Sequence, residues 1–232
     1  MEYYSLNATA GCTNQKMVRW LVKKGVIVSK EVEKAMNLVD RADFWDFPEC
    51  SYYDCPQSIG HNATISAPSI HAIMLEIMKT ILKPGARVLD IGCGSGYLCA
   101  AMLAMMDFKG TVIGIEHISE LTEKWRTNLN KNFSQYLENE SITIFTGDGR
   151  EGCQEQGPFD WIHVGAAIKE IPDKLMNQVS PGGIMIIPVG NEASNQELTL
   201  LLKNKDGIVF SETLMSVWYV PLTSKKHQLS RI

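Results

Sequence analysis

The stretch Asp90-Ile91-Gly92-Cys93-Gly94-Ser95-Gly96 constrains this chain more than any other, because its three glycines fall where an apolar run, residues 87–91, meets a helix-like run over 97–106. Glycines at a strand-to-helix turn let the backbone bend tightly and approach a ligand, and the helix start beyond them aims N–H groups at it. Such a turn needs a sheet to stand on. Residues 111–115, 142–145, 161–164 and 184–187 read as further strands, with helices expected over 121–133 and 173–179 between them. Alternation of this kind implies a parallel sheet covered on both faces. The last apolar runs, 198–202 and 209–220, are joined by too short a link for a crossover helix and should close the sheet as an antiparallel hairpin. The expected fold is α/β, a doubly wound and mostly parallel sheet of seven strands, Rossmann-like in its cofactor half.

Ahead of the sheet lies a front of different grammar. Residues 13–24 carry Met17, Trp20, Leu21 and Val22 in helical spacing and stop at Gly25. Ser29 reads as the N-cap of a second helix, with Glu31 and Glu33 in its first turn. Residues 41–62 show no period and read as an irregular segment, of the length that is usually functional or a misread element. Ser66-Ala67-Pro68 then opens a helix to about Leu82, with proline in the first turn, where its missing N–H does no harm. No repeat or linker divides the chain, so one domain over 1–232 is expected: a front of 1–85 that covers the site and a cofactor-binding sheet of 86–232.

Composition narrows the function classes. The 232 residues carry 22 basic and 26 acidic side chains, a net charge of −4, which argues against a broad nucleic-acid surface. No apolar run approaches the roughly 20 residues that span a bilayer, and the opening Met1-Glu2-Tyr3-Tyr4-Ser5 lacks the basic and apolar parts of a secretory signal. The six cysteines form no C-x-x-C pair, so they read as free thiols in a reducing cytoplasm, with no metal site. The expectation is a cytoplasmic monomer without nucleic-acid or membrane partners.

The residues around the turn suggest its ligand. Glu116 ends the second strand, where a carboxylate can accept hydrogen bonds from both hydroxyls of a ribose. The spacing is G-x-G-x-G rather than G-x-G-x-x-G, and Asp90 directly precedes the glycines. A carboxylate there would repel a pyrophosphate but favour the amino group and sulfonium of S-adenosylmethionine. That points to a cationic cofactor over a dinucleotide. Gly147-Asp148-Gly149, after the third strand, could read adenine's amino edge, although Asp148 could equally serve as an Asx-turn residue.

A wider set of motifs is more specific than the turn. Asp54-x-Pro56-Gln57-Ser58-Ile59-Gly60, Ala63-Thr64-Ile65-Ser66-Ala67-Pro68, His71-Ala72, Gly114-Ile115-Glu116-His117, Gly147-Asp148-Gly149-Arg150, His163-Val164-Gly165-Ala166-Ala167, Pro181-Gly182-Gly183 and Tyr219-Val220-Pro221-Leu222-Thr223 occur in one order along the chain. In these the sequence resembles the protein-L-isoaspartate (D-aspartate) O-methyltransferases, and the eukaryotic-type enzymes most. The resemblance implies methyl transfer from S-adenosyl-L-methionine to the α-carboxyl of isoaspartyl residues in damaged proteins and peptides, leaving S-adenosyl-L-homocysteine. It implies that Ser66 is the active-site serine, and that Ala63, Thr64, Ile65 and His71 belong to the segment closing over cofactor and acceptor. By the same resemblance Asp90, Gly92, Gly94 and Gly96 form the cofactor turn, Glu116 takes the ribose, Asp148 and Gly149 the adenine, and Thr223 and Gln228 reach back to the cofactor. The family often has Asp at the place of Glu116 and His at that of Ser69, and the first dozen residues match nothing diagnostic.

The implied chemistry needs few groups. An α-carboxyl has a pKa of about 3.3–3.7, so at neutral pH it is already a nucleophile and no general base is required. Alignment matters more, and can supply about 7–11 kcal/mol. Ser66 would orient the acceptor carboxylate with help from N–H groups at the helix start after Pro68, or it would merely cap that helix. His61, His117, His163 and His227 read as structural, Arg150 as half of a surface ion pair, and Lys225 with Lys226 as a solvated couple that could draw an acceptor. Two other classes compete: a nicotinamide-dependent oxidoreductase on the same sheet, which would bind NAD(H), and a non-catalytic binding module, which would not need Ser66.

Overall fold

The computed structural model describes residues 13–191 and 195–230, so Cys12 and the unmatched first dozen residues lie outside the described residues. Helix α1 (Asn14–Lys23) starts at Thr13, whose hydroxyl accepts from the Lys16 N–H at 3.4 Å, and buries Met17, Val18 and Leu21. Helix α2 (Lys30–Leu38) begins after Ser29 as expected, but the Ser29 hydroxyl does not cap it. That hydroxyl instead donates to Glu76 at 3.0 Å, and the same carboxylate oxygen accepts the N–H groups of Val28 and Ser29 at 2.7 Å. A carboxylate from another helix thus fixes the chain entering α2, through the cap residue and the one before it.

The irregular segment contains more order than its sequence suggests. Short 3-10 turns occupy Arg41–Phe44 and Pro48–Cys50, and strand β1 (Gln57–Gly60) pairs antiparallel with β2 (Ala63–Ile65). The hairpin turns on His61 and Asn62, both left-handed at φ 53° and 57°, the backbone that a two-residue I′ turn requires. Four residues ending in glycine are too few to show a strand period, which is why the element is invisible in the sequence. Helix α3 (Pro68–Met78) follows and buries His71, Ala72, Met74, Leu75 and Met78.

The main sheet has seven strands: β3 (Arg87–Ile91), β4 (Thr111–Glu116), β5 (Ile142–Thr146), β6 (Phe159–Val164), β7 (Val179–Val189), β8 (Gln196–Lys203) and β9 (Val209–Val217). Their order is β5-β4-β3-β6-β7-β8-β9, parallel as far as β7 and antiparallel through β8 and β9. Helix α4 (Tyr97–Met105) is buried at all nine positions, as an all-apolar helix must be. Past it, α5 (Ser119–Asn130) ends earlier than expected and a separate turn of helix, α6 (Ser134–Glu138), follows. Helix α7 (Asp173–Asn177) is also shorter, because Val179 already belongs to β7. The C-terminal residues form α8 (Lys225–Leu229), capped by Ser224.

Alternate strand residues feed two cores. Val88, Val112 and Trp161 join one cluster, which also takes in Met17, Leu21, Met36 and Leu75 of the front. Leu89, Ile91, Ile113 and Ile162 join the other, against Leu175 of α7. The front helices are therefore buried against the same face of the sheet that carries α4. No described helix is long and apolar enough to cross a membrane.

Candidate active site

The order β4-β3-β6 places a topological switch point at the carboxyl end of β3, which is where open α/β sheets bind ligands. The glycine turn lies there. Gly96 takes φ +86°, and a Cβ on it would stand 2.3 Å from Cδ1 of buried Trp125, so no other residue fits without displacing the indole. A Cβ on Gly92 would meet nothing closer than 3.9 Å, which leaves the outer face of the turn clear. Asp90 sits beneath the turn, 1% exposed. One of its oxygens lies 2.7 Å from Nδ1 of His163, its register neighbour on β6, and the other accepts from the Cys99 thiol at 3.1 Å. Burial pushes the Cys99 thiol well above its usual range, so it remains a donor.

A cleft of about 50 Å³ in front of the turn is lined by seven of the expected residues: Ala63, Gly92, Gly94, Glu116, Gly149, Thr223 and Gln228. Glu116 is 6% exposed. Its Oε1 accepts the Ile118 N–H at 3.0 Å, while Oε2 accepts no hydrogen bond among the described residues and remains for a diol. Gln228 closes one end: Oε1 lies 2.8 Å from His117 Nε2, and Nε2 donates to the His61 carbonyl at 2.8 Å. His117 and His61 thus help hold the wall. The cleft is small for a nucleoside, but its donor set, a buried carboxylate opposite a glycine turn, suits an adenosyl group.

A second cavity, of about 670 Å³, shares Gly165, Val220 and Pro221 with the cleft and is of the size usual for ligand sites. Thr64, Ser66 and Tyr219 line it, and Trp218 stands 72% exposed on its rim. Burial and the Asp90 charge push the Tyr219 phenol up to about 12, with the neighbouring Ser66 opposing the rise. Tyr219 is fixed in turn by buried Gln196, which accepts its N–H at 2.6 Å and donates to its carbonyl at 3.0 Å.

Two expectations about the start of α3 are corrected. Ala67, not Ser66, is the cap residue, and no side chain of the cap bonds the helix, so the Ser66 hydroxyl is not spent on it. The first N–H groups are not available to an acceptor either. Asp54, brought in from the 3-10 region, takes the Ser69 N–H at 2.8 Å, and those of Ile70 and His71 bond to the Ala67 carbonyl. A carboxylate already occupies the positive end of the helix.

Ile65, His71, Asp90, Gly96 and Asp148 line neither cavity. Ile65 belongs to the core, and His71 is buried against Tyr97 and lies 3.1 Å from a guanidinium nitrogen of Arg41. Asp148 is an Asx-turn residue whose carboxylate pairs with Arg150, which holds its pKa below the usual carboxylate range. Lys225 donates to the Ser119 hydroxyl at 3.1 Å and lies 3.7 Å from the Glu120 carboxylate. Arg41 and Gln196 escaped the sequence reading because nothing local distinguishes them from surface residues. For the Asp90–His163 pair, the register of adjacent strands was a usable signal.

Fold and cleft together define an S-adenosylmethionine-dependent methyltransferase. The profile of the protein-L-isoaspartate(D-aspartate) O-methyltransferases matches residues 12–227. Protein-L-isoaspartate O-methyltransferase 1 of Arabidopsis thaliana is 46% identical over 93% of this chain and 94% of its own length. The Caenorhabditis elegans protein-L-isoaspartate O-methyltransferase is 41% identical over 96% of this chain and 98% of its own. A Plasmodium falciparum beta-aspartate methyltransferase, crystallised with S-adenosyl-L-homocysteine, superposes with a TM-score of 0.84 at 31% identity, covering 91% of this chain and 98% of that one. The chain belongs to the protein-L-isoaspartate(D-aspartate) O-methyltransferase family.

Proposed function

We propose that this chain methylates the free α-carboxyl of L-isoaspartyl residues in damaged proteins and peptides, and that Ser66 orients that carboxyl. S-adenosylmethionine supplies a methyl group on a cationic sulfur. A carboxylate oxygen forms the new C–O bond as the C–S bond breaks, the electron pair stays on sulfur, and no proton moves. The ester then closes without the enzyme to a succinimide, whose hydrolysis returns some normal aspartate.

The observation that carries this reading is the Ser66 hydroxyl, not spent as a helix cap and lining the large cavity one wall away from the glycine turn. A hydroxyl can donate to the acceptor oxygen that does not attack. Glu116 holds the ribose, Gly92 and Gly94 form the floor, and Thr223 and Gln228 form the outer wall. Asp90 stays beneath the turn as a buried charge, bonded to His163 and Cys99. The front, 1–85, and the sheet, 86–232, work as one unit, since both enter one core. A cytoplasmic location fits the free thiols among the described residues, and a monomer fits one domain of ordinary size.

The test is transfer of labelled methyl to paired peptides containing isoaspartate or normal aspartate. Base-labile, methanol-releasing label on the isoaspartyl peptide alone is expected. Equal labelling of both, or tight NAD(H) binding in place of S-adenosylmethionine, would overturn the reading. A D-aspartyl peptide in the same assay decides the breadth of the acceptor.

A further inference from the structure

Arg41 is the one fully buried arginine among the described residues, and its surroundings are unusual for a cation. No carboxylate among the described residues lies within ion-pairing distance of it. Tyr97, Asp54 and Cys55 support its charge from a distance, and Asp54, the carboxylate among them, makes its own hydrogen bond to Ser69. Burial draws the guanidinium down to about 10, still charged at neutral pH. Its donors go elsewhere. Nε donates to the Ser51 carbonyl at 2.8 Å, Nη2 to the Ser66 carbonyl at 2.6 Å, and Nη1 lies 3.1 Å from His71 Nδ1. The plane stands 5.6 Å over Tyr97, the first residue of α4 after the glycine turn.

Burying an unpaired cation is costly, and a well-packed apolar side chain often serves stability as well or better. What an apolar chain cannot do is bind three acceptors from three segments in one plane. The shortest of those bonds ends on the residue whose hydroxyl faces the acceptor cavity.

We propose that Arg41 is a positioning residue for methyl transfer: by holding the Ser66 carbonyl it fixes the backbone that aims the Ser66 hydroxyl at the acceptor carboxylate. His71 completes the clamp as a neutral acceptor, since burial and the neighbouring Arg41 charge hold its pKa well below the ordinary value. The assignment rests on Ser66 orienting the acceptor, as set out above.

Arg41→Lys keeps the charge and most of the stem but cannot span the three acceptors. It is expected to lower kcat/KM for an isoaspartyl peptide by about tenfold to a hundredfold, the range for a lost charge-assisted hydrogen bond, with S-adenosyl-L-homocysteine affinity within about twofold. Ser66→Ala should cost about a hundredfold, and adding R41K to it should cost less than about threefold more, because both act through one hydroxyl. Independent, multiplicative losses, or an R41K enzyme within about twofold of the parent, would overturn the assignment. If Ser66→Ala is harmless, the reading of Ser66 falls first, whatever R41K does. Should R41K not fold, the parent protein labelled with 15N-arginine carries the test. Its Arg41 signals should shift when an isoaspartyl peptide joins the homocysteine complex and not when the aspartyl peptide does; identical responses would sink the idea.

Discussion

Between Asp90 and Gly96 the cofactor turn is built from neighbouring chain and adjacent strands, whereas Ser66 and the helix start that follows it are held by groups arriving from residues 41 and 54. The first half is rigid because glycine backbone fills a slot that Trp125 closes from behind. The second is rigid because side chains satisfy backbone groups of distant segments, so its geometry is shared among parts that must all be in place. A methyltransferase can keep one cofactor cradle while the acceptor side is rebuilt, since the two halves depend on different kinds of constraint.

That contrast can be broken at its strongest point first. Gly96→Ala forces a Cβ to 2.3 Å from Trp125 at a left-handed φ. Strain and overpacking together should cost about 2–5 kcal/mol. For a chain of this size that lowers Tm by roughly 5–15 °C, a loss that scanning calorimetry would register. A drop under about 2 °C would show that the cradle is softer than its packing suggests.

Glu116→Gln tests the cofactor half by charge. The amide can keep the Ile118 contact through its oxygen but loses the anionic acceptor for the ribose. Affinity for S-adenosyl-L-homocysteine by calorimetry should fall about tenfold, the low end for a hydrogen bond to a charged group, with Tm little changed.

The smallest effect belongs to the acceptor half and is read in pH. His71 is buried neutral, and burial with the Arg41 charge sets its pKa well below 6.5. Below about 6.5 the unfolded imidazole takes up a proton that the folded one refuses, so its contribution is full above that pH and is lost as pH falls. The slope is at most about 1.4 kcal/mol per pH unit. His71→Gln should flatten the denaturation midpoint between pH 6.5 and 5 relative to the parent; parallel profiles would mean His71 does not stay neutral in the fold.

Much of the cofactor half was legible in the residues. Short apolar runs, glycines at a strand end, a carboxylate closing the next strand and a short final link are local signals, and they located the turn, Glu116 and the edge hairpin. The acceptor half was legible only by resemblance, which pointed to Ser66 but not to what holds it. Arg41 looks like any surface arginine before Ala42 and Asp43. Asp54 gives no sign that it will cap a helix fifteen residues away.

The sequence by itself determined the alternating sheet, the glycine turn and the chemistry available to a cationic cofactor, because these follow from side-chain period and backbone sterics within a few residues. Only the tertiary structure decided that the Ser66 hydroxyl does not cap its helix, that Asp90 sits under the turn with His163 and Cys99, and that a buried guanidinium ties Ser66 to Ser51, His71 and the Tyr97 ring. Those outcomes depend on which distant groups meet once the front is packed on the sheet. Hydrogen bonds between remote segments leave no period in the chain that forms them.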